Sequence, residues 1–111
     1  MFSCQRSGTI ETISGAVALT GEHCEQLQRT VSNCLGHGQP RLVFDLSRVP
    51  LIDSQGLEAL LEIRDQCQQR GGGLVLARPN PLCWDILRAT RLERELEIFP
   101  DTVEAMGSFA R

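Results

Sequence analysis

The chain has 111 residues, room for one buried core and too few for two. Hydrophobic residues make up 41% of it and charged residues 23%, the balance of a folded domain and not of a disordered one. The net charge of −3 argues against a nucleic-acid binder, and the absence of lysine and tyrosine removes Schiff-base lysine, P-loop lysine and tyrosine-acid chemistry.

Met1 to Gly8 carries Arg6 and lacks the apolar stretch of a secretory signal, so residues 1–8 read as an N-terminal extension. No run of about 18 apolar residues exists to span a membrane. The five cysteines (Cys4, Cys24, Cys34, Cys67, Cys83) are odd in number and form no C-x-x-C pair, which predicts reduced thiols in a cytoplasmic protein.

Thr9 to Ser14 and Ala16 to Thr20 alternate around Ser14-Gly15 and predict a β-hairpin. From Glu22 the period lengthens: Cys24, Leu27, Val31, Cys34 and Leu35 form one stripe of an amphipathic helix, which Gly36, Gly38 and Pro40 end. Leu42 to Leu46, broken only by Asp45, predicts a strand buried on both faces. Ser47 to Ile52 is a loop, with Asp53 and Ser54 both suited to cap the helix that Leu57, Leu60 and Leu61 continue. Gly71-Gly72-Gly73 ends that helix, and Leu74 to Ala77 is a further buried strand. Asn80-Pro81 opens a helix with Leu82, Ile86 and Leu87 on its inner face and Trp84 at its edge. Ile98-Phe99 is a brief strand, and Asp101 to Glu104 has capping-box spacing before a last helix through Ala105 and Met106. The order predicts a single α/β domain over residues 9–107, with a mostly parallel sheet, an N-terminal hairpin, helices packed against the sheet and a short tail at 108–111.

One segment can carry chemistry. From Asp45 to Leu57 a strand ends, an apolar loop follows, and a helix opens on an acid, a hydroxyl and a glycine. Free N–H groups and the helix dipole at that terminus would accommodate a phosphate on Ser54. Gly56, lacking a side chain, would leave the first turn open to a partner. The alternative is that Asp53 and Ser54 only cap the helix.

The residues Asp45-Leu46-Ser47, Val49, Ile52-Asp53-Ser54, Gly56-Leu57 and Leu60-Leu61 resemble the central signature of the STAS domain. That is the domain of bacterial anti-sigma factor antagonists and of sulfate transporter tails, and the resemblance extends over residues 9–107. It implies that Ser54 is the phosphoacceptor of a serine/threonine kinase that doubles as anti-sigma factor. The unphosphorylated form would bind that kinase and release the sigma factor. Phosphorylation would end binding, and a PP2C-type phosphatase would reset the switch. The partner surface would comprise Glu22, Asp53, Gln55, Gly56, Leu57, Glu58 and Arg78. For Arg78 the alternative, which the residues favour, is a solvated loop arginine. The chain departs from the family at Gly21-Glu22-His23-Cys24, where relatives carry G-E-L-D and a longer connection to the first helix. Scaffold and transporter-partner members, which work without phosphorylation, are the alternative.

Rival chemistry finds little support. A phosphoaccepting receiver domain would need an N-terminal acidic pair and a C-terminal lysine; only Glu11 lies near the first strand and no lysine exists. His23, Cys24, Cys34 and His37 invite a metal reading, but ten residues of helix separate the cysteines by about 15 Å, too far for one zinc ion. Neither histidine has an acid spaced to activate a cysteine. The expectation is a protein-binding module without catalytic residues, cofactor, metal, nucleic-acid partner or membrane contact.

Overall fold

The computed structural model describes residues 1–36 and 38–110. Strands β1 (Phe2–Ser7) and β2 (Ile10–Gly15) pair antiparallel, with Ser7 opposite Ile10. The hairpin therefore turns at Gly8-Thr9 and not at the expected Ser14-Gly15. Gly8 has φ +63°, the left-handed conformation that tight hairpin turns use. Gly15 serves a different end: its missing Cβ leaves space for the Phe2 ring. The segment read as an extension thus supplies the edge strand. The expected strand over Ala16–Thr20 is irregular, tied to the rest by one bridge between Leu19 and Ile52.

Helix α1 (Gly21–Cys34), strand β3 (Arg41–Asp45), helix α2 (Ser54–Gln69), strand β4 (Gly73–Ala77), helix α3 (Pro81–Ala89), strand β5 (Ile98–Phe99) and helix α4 (Thr102–Gly107) follow. Sheet order equals chain order, and every pair from β2 to β5 is parallel. Right-handed crossovers that all step in one direction place their helices on one face. The packing agrees. Leu27 and Val31 of α1, Leu60 and Ile63 of α2, and Cys83 and Leu87 of α3 share a core with Ile13, Leu42, Phe44, Leu74 and Leu76. On the opposite face Ala105 of α4, with Phe99, Met106 and Phe109 beside it, packs on Val43, Val75 and Ala77. The expectation of a strand buried on both faces holds for β3, because Leu42 and Phe44 enter one core while Val43 enters the other.

Two expectations need correction here. Leu82, assigned to the inner face of its helix, is 52% exposed. Cys83 and Leu87, one turn apart, own that face, and Leu82 lies a third of a turn away from it. The cysteines were expected to be thiols, yet Cys4 on β1 and Cys34 at the end of α1 are joined in a disulfide. Cys67 and Cys83 are buried thiols, and burial pushes Cys67 up to about 11, so both pack as small neutral hydrophobes. Among the described residues no helix is long and apolar enough to cross a membrane.

Candidate functional site

The loops after the parallel strands gather at one edge of the sheet. There the extended Asp53 caps α2, its Oδ1 accepting from the Gly56 N–H at 2.8 Å. Its Oδ2 accepts from the Gly21 N–H at 3.3 Å, so one carboxylate fastens the starts of α1 and α2 together. The chain before the cap is held by Leu19, whose N–H donates to the Leu51 carbonyl (2.9 Å) and whose carbonyl accepts from the Asp53 N–H (3.1 Å). Asp53 alone performs the capping. Ser54 is the first helical residue, is exposed, and its hydroxyl has no hydrogen bond among the described residues.

The residues assigned to a partner surface divide in two. Glu22, Gln55 and Glu58 are exposed around Ser54. Gly56 and Leu57 are not. Gly56 is buried, and a Cβ there would run into the Leu19 carbonyl and crowd Ile52 Cγ2 (3.0 Å). The glycine admits the Leu19 backbone against the first turn and does not open that turn to solvent. Leu57, 8% exposed, belongs to the main core. An exposed residue that the sequence reading passed over is Leu51, on the loop just before Ser54. No local signal marked it, since Val49 and Ile52 in the same loop are equally apolar and are buried.

Replacing Asp53 with alanine removes both hydrogen bonds. Asp53→Ala is expected to cost about 1–2 kcal/mol in denaturant unfolding, while Asp53→Asn, which keeps an acceptor for Gly56, retains most of the stability.

Between α1 and α2 lies a shallow cleft of about 270 Å³ lined by Cys24, Glu25, Gln55, Glu58 and Glu62. Burial and the charges of Asp53, Glu62 and Glu58 raise the Cys24 pKa, which keeps the thiol neutral. It donates to the Thr20 carbonyl at 3.2 Å, and His23 Nδ1 lies 2.8 Å from the Ala18 carbonyl. Both groups hold the start of α1. The other histidine considered for a metal, His37, lies outside the described residues.

Arg78 sits at the end of β4 with φ 55°, a left-handed conformation uncommon outside glycine. That backbone turn brings its guanidinium onto Asp45, with Nη2 2.7 Å from Oδ2 and Nε 3.2 Å from Oδ1. Nη2 also donates to Ser47 Oγ at 3.0 Å. Arg78 is therefore an exposed arginine that is also paired, joining the loops after β3 and β4. Asn80 adds a second tie, donating to the Val49 carbonyl (3.0 Å) while its Oδ1 caps α3 through the Cys83 N–H (2.8 Å). The partner of Arg78 was marked in the sequence by Asp45 interrupting an otherwise apolar strand.

Burial alone would raise the Asp45 pKa, but the hydrogen bonds from Arg78 and Ser47 outweigh it, and the carboxyl titrates below its ordinary value of 3.8. A folded-state pKa below the unfolded one gives stability that is complete at neutral pH and is lost as the pH falls through the folded value. Wild type is expected to lose more stability between pH 7 and pH 3 than Asp45→Asn, measured as urea midpoints at each pH. Equal losses would remove Asp45 from the acid response.

The model of the STAS domain matches residues 6–105. BtrV of Bordetella bronchiseptica, provisionally named an anti-sigma factor antagonist, is 32% identical over 78 residues, 70% of this chain and 65% of that protein's length. A Thermotoga maritima crystal structure, under a similarly provisional antagonist name, superposes with a TM-score of 0.89 at 24% identity, covering 99% of this chain and 95% of that one. The Bacillus cell fate determinant SpoIIAA in its phosphorylated form superposes with a TM-score of 0.72 at 17% identity, over 98% of this chain and 99% of that one. With the signature at the start of α2, the order of elements and a family match over nearly its whole length, this chain belongs to the STAS domain family.

Proposed function

We propose that this STAS domain is a protein-binding switch of the anti-sigma factor antagonist kind, in which Ser54 is the phosphoacceptor. The unphosphorylated domain binds an anti-sigma factor that is also a serine/threonine kinase, and phosphorylation ends that binding. A PP2C-type phosphatase restores the hydroxyl. The domain contributes binding and no catalysis.

The observation that carries this reading is the division of labour between Asp53 and Ser54. Because Asp53 satisfies the helix end, the exposed Ser54 hydroxyl is left with no structural task. A phosphate there gains from the positive end of a 16-residue helix, so the folded domain accommodates it. The partner experiences the opposite. Glu22, Gln55 and Glu58 surround the serine, and the α1–α2 cleft adds Glu25 and Glu62, so the surface is already acidic where the phosphate would be added. A phosphate of about −1.5 to −2 charges buried in such an interface faces desolvation without a prepared counter-charge. The switch then needs no rearrangement of the backbone.

Incubation with ATP and a kinase encoded beside this chain tests the assignment by intact-protein mass spectrometry. One phosphate is expected on wild type and none on Ser54→Ala. A phosphate that survives Ser54→Ala, or none on wild type, sinks the reading in favour of a scaffold or transporter-partner domain.

A further inference from the structure

At the end of α1 remote from Gly21, three side chains from three elements meet. Cys4 of β1 and Cys34 of α1 are bonded with Cα atoms 6.5 Å apart. Glu11 of β2 is 8% exposed and receives Arg6 Nε at 2.6 Å. Its Oε2 lies 3.1 Å from Cys4 Sγ. Cys4 is exposed, whereas Cys34 is 9% exposed. An open cleft of about 550 Å³, lined by Ser3, Cys4, Glu11, Thr30 and Cys34 among others, gives solvent access to the pair.

We propose that Cys4 and Cys34 form a reversible thiol–disulfide site, oxidised and reduced by low-molecular-weight disulfides and thiols that enter through Cys4. Both states are provided for. In the oxidised state Glu11 keeps its ion pair with Arg6. In the reduced state the Cys4 S–H has an acceptor, the Glu11 oxygen beside it. The asymmetry of exposure sets the order of events. An incoming thiolate attacks Cys4 Sγ, and the sulfur–sulfur electron pair leaves on Cys34 as a thiolate that takes a proton from water. A second small thiol then attacks the mixed disulfide, releasing the Cys4 thiolate and a small-molecule disulfide. Oxidation runs these steps backwards, with the small disulfide accepting the two electrons of the thiol pair.

The consequence is mechanical. β1 is an edge strand, paired with β2, and α1 packs over it. The bridge closes the 30-residue separation between them and staples helix to strand. Nothing in this depends on Ser54.

The test equilibrates the full chain in oxidised or reduced glutathione and counts thiols in denaturant. Oxidised protein should expose three thiols, Cys24, Cys67 and Cys83, and reduced protein all five, with peptide mapping placing the bridge at Cys4–Cys34. The melting temperature should fall by about 10 °C on reduction of wild type. Cys4→Ser, at an exposed position, should melt like reduced wild type and ignore the reductant. Five thiols after oxidation, a bridge elsewhere, or a reductant response that persists in Cys4→Ser would overturn the proposal. So would one equivalent of zinc held by Cys4, Cys34 and Glu11 that prevents the bridge from forming, since these three also have the separations of a metal-ligand set.

Discussion

Ser54→Asp is expected to weaken binding to an anti-sigma-type kinase partner by about 30- to 4,000-fold, the equivalent of about 2–5 kcal/mol for an unpaired charge buried in an interface. The fold should be untouched. Ser54 is exposed at the first position of α2, where an acidic side chain is favoured by the helix dipole, so the variant should melt at or slightly above the wild-type temperature. Ser54→Ala supplies the contrast: it loses only a hydroxyl without an internal partner and should bind within a few fold of wild type. Calorimetric titration of the three proteins with one partner, alongside thermal melts, separates a local charge effect from unfolding. Binding of Ser54→Asp at wild-type strength would defeat the charge mechanism.

Gly56→Ala is expected to be the more damaging change to the fold, although it adds one methyl group two residues from Ser54. The new Cβ would overlap the Leu19 carbonyl, which is backbone and already committed to the Asp53 N–H. It cannot swing away as a side-chain end would. Either the first turn of α2 lifts from the Leu19 segment or the Leu19–Asp53 hydrogen bond breaks. Overpacking of this kind costs about 3 kcal/mol. For a chain of this size that is a fall in melting temperature of about 10 °C or more. Partner affinity, measured below the melt, should fall as well, because the displaced turn carries Ser54, Gln55 and Glu58. An unchanged melt would mean that the contact with Leu19 is not needed to seat α2.

Much of this architecture was legible in the residues. Caps that rest on local chemistry were read at the right positions: Asp53 before α2, Asn80-Pro81 before α3 and Asp101 before α4 each hold a backbone N–H of the first turn. The buried strands β3 and β4 followed from short apolar runs between turn residues. The hairpin was misplaced because two glycines, Gly8 and Gly15, both flank alternating segments. Only the sheet reveals which one bears the positive φ and which one meets Phe2. Leu82 was misplaced because a short helix offers too few turns to fix the direction of its apolar face.

The candidate site divides along the same line. The pattern from Asp45 to Leu57 identified the family, since helix capping and strand burial act over a few neighbouring residues and leave a readable spacing. Which residues of that pattern face a partner depends on contacts across the fold. Leu19, 37 positions before Gly56 in the chain, decides that the glycine is buried. Asp45, 33 positions before Arg78, takes up the arginine that would otherwise stand free. The pairing of Cys4 with Cys34 across 30 residues had no local signal at all, because Cys34 falls on an apolar helical stripe where cysteine reads as a small hydrophobe. The sequence by itself determined the helices, the buried strands and the family, through interactions that close within a turn or two. Only the tertiary structure decided which side chains remain exposed beside Ser54, because burial and pairing depend on partners that sequence distance does not reveal.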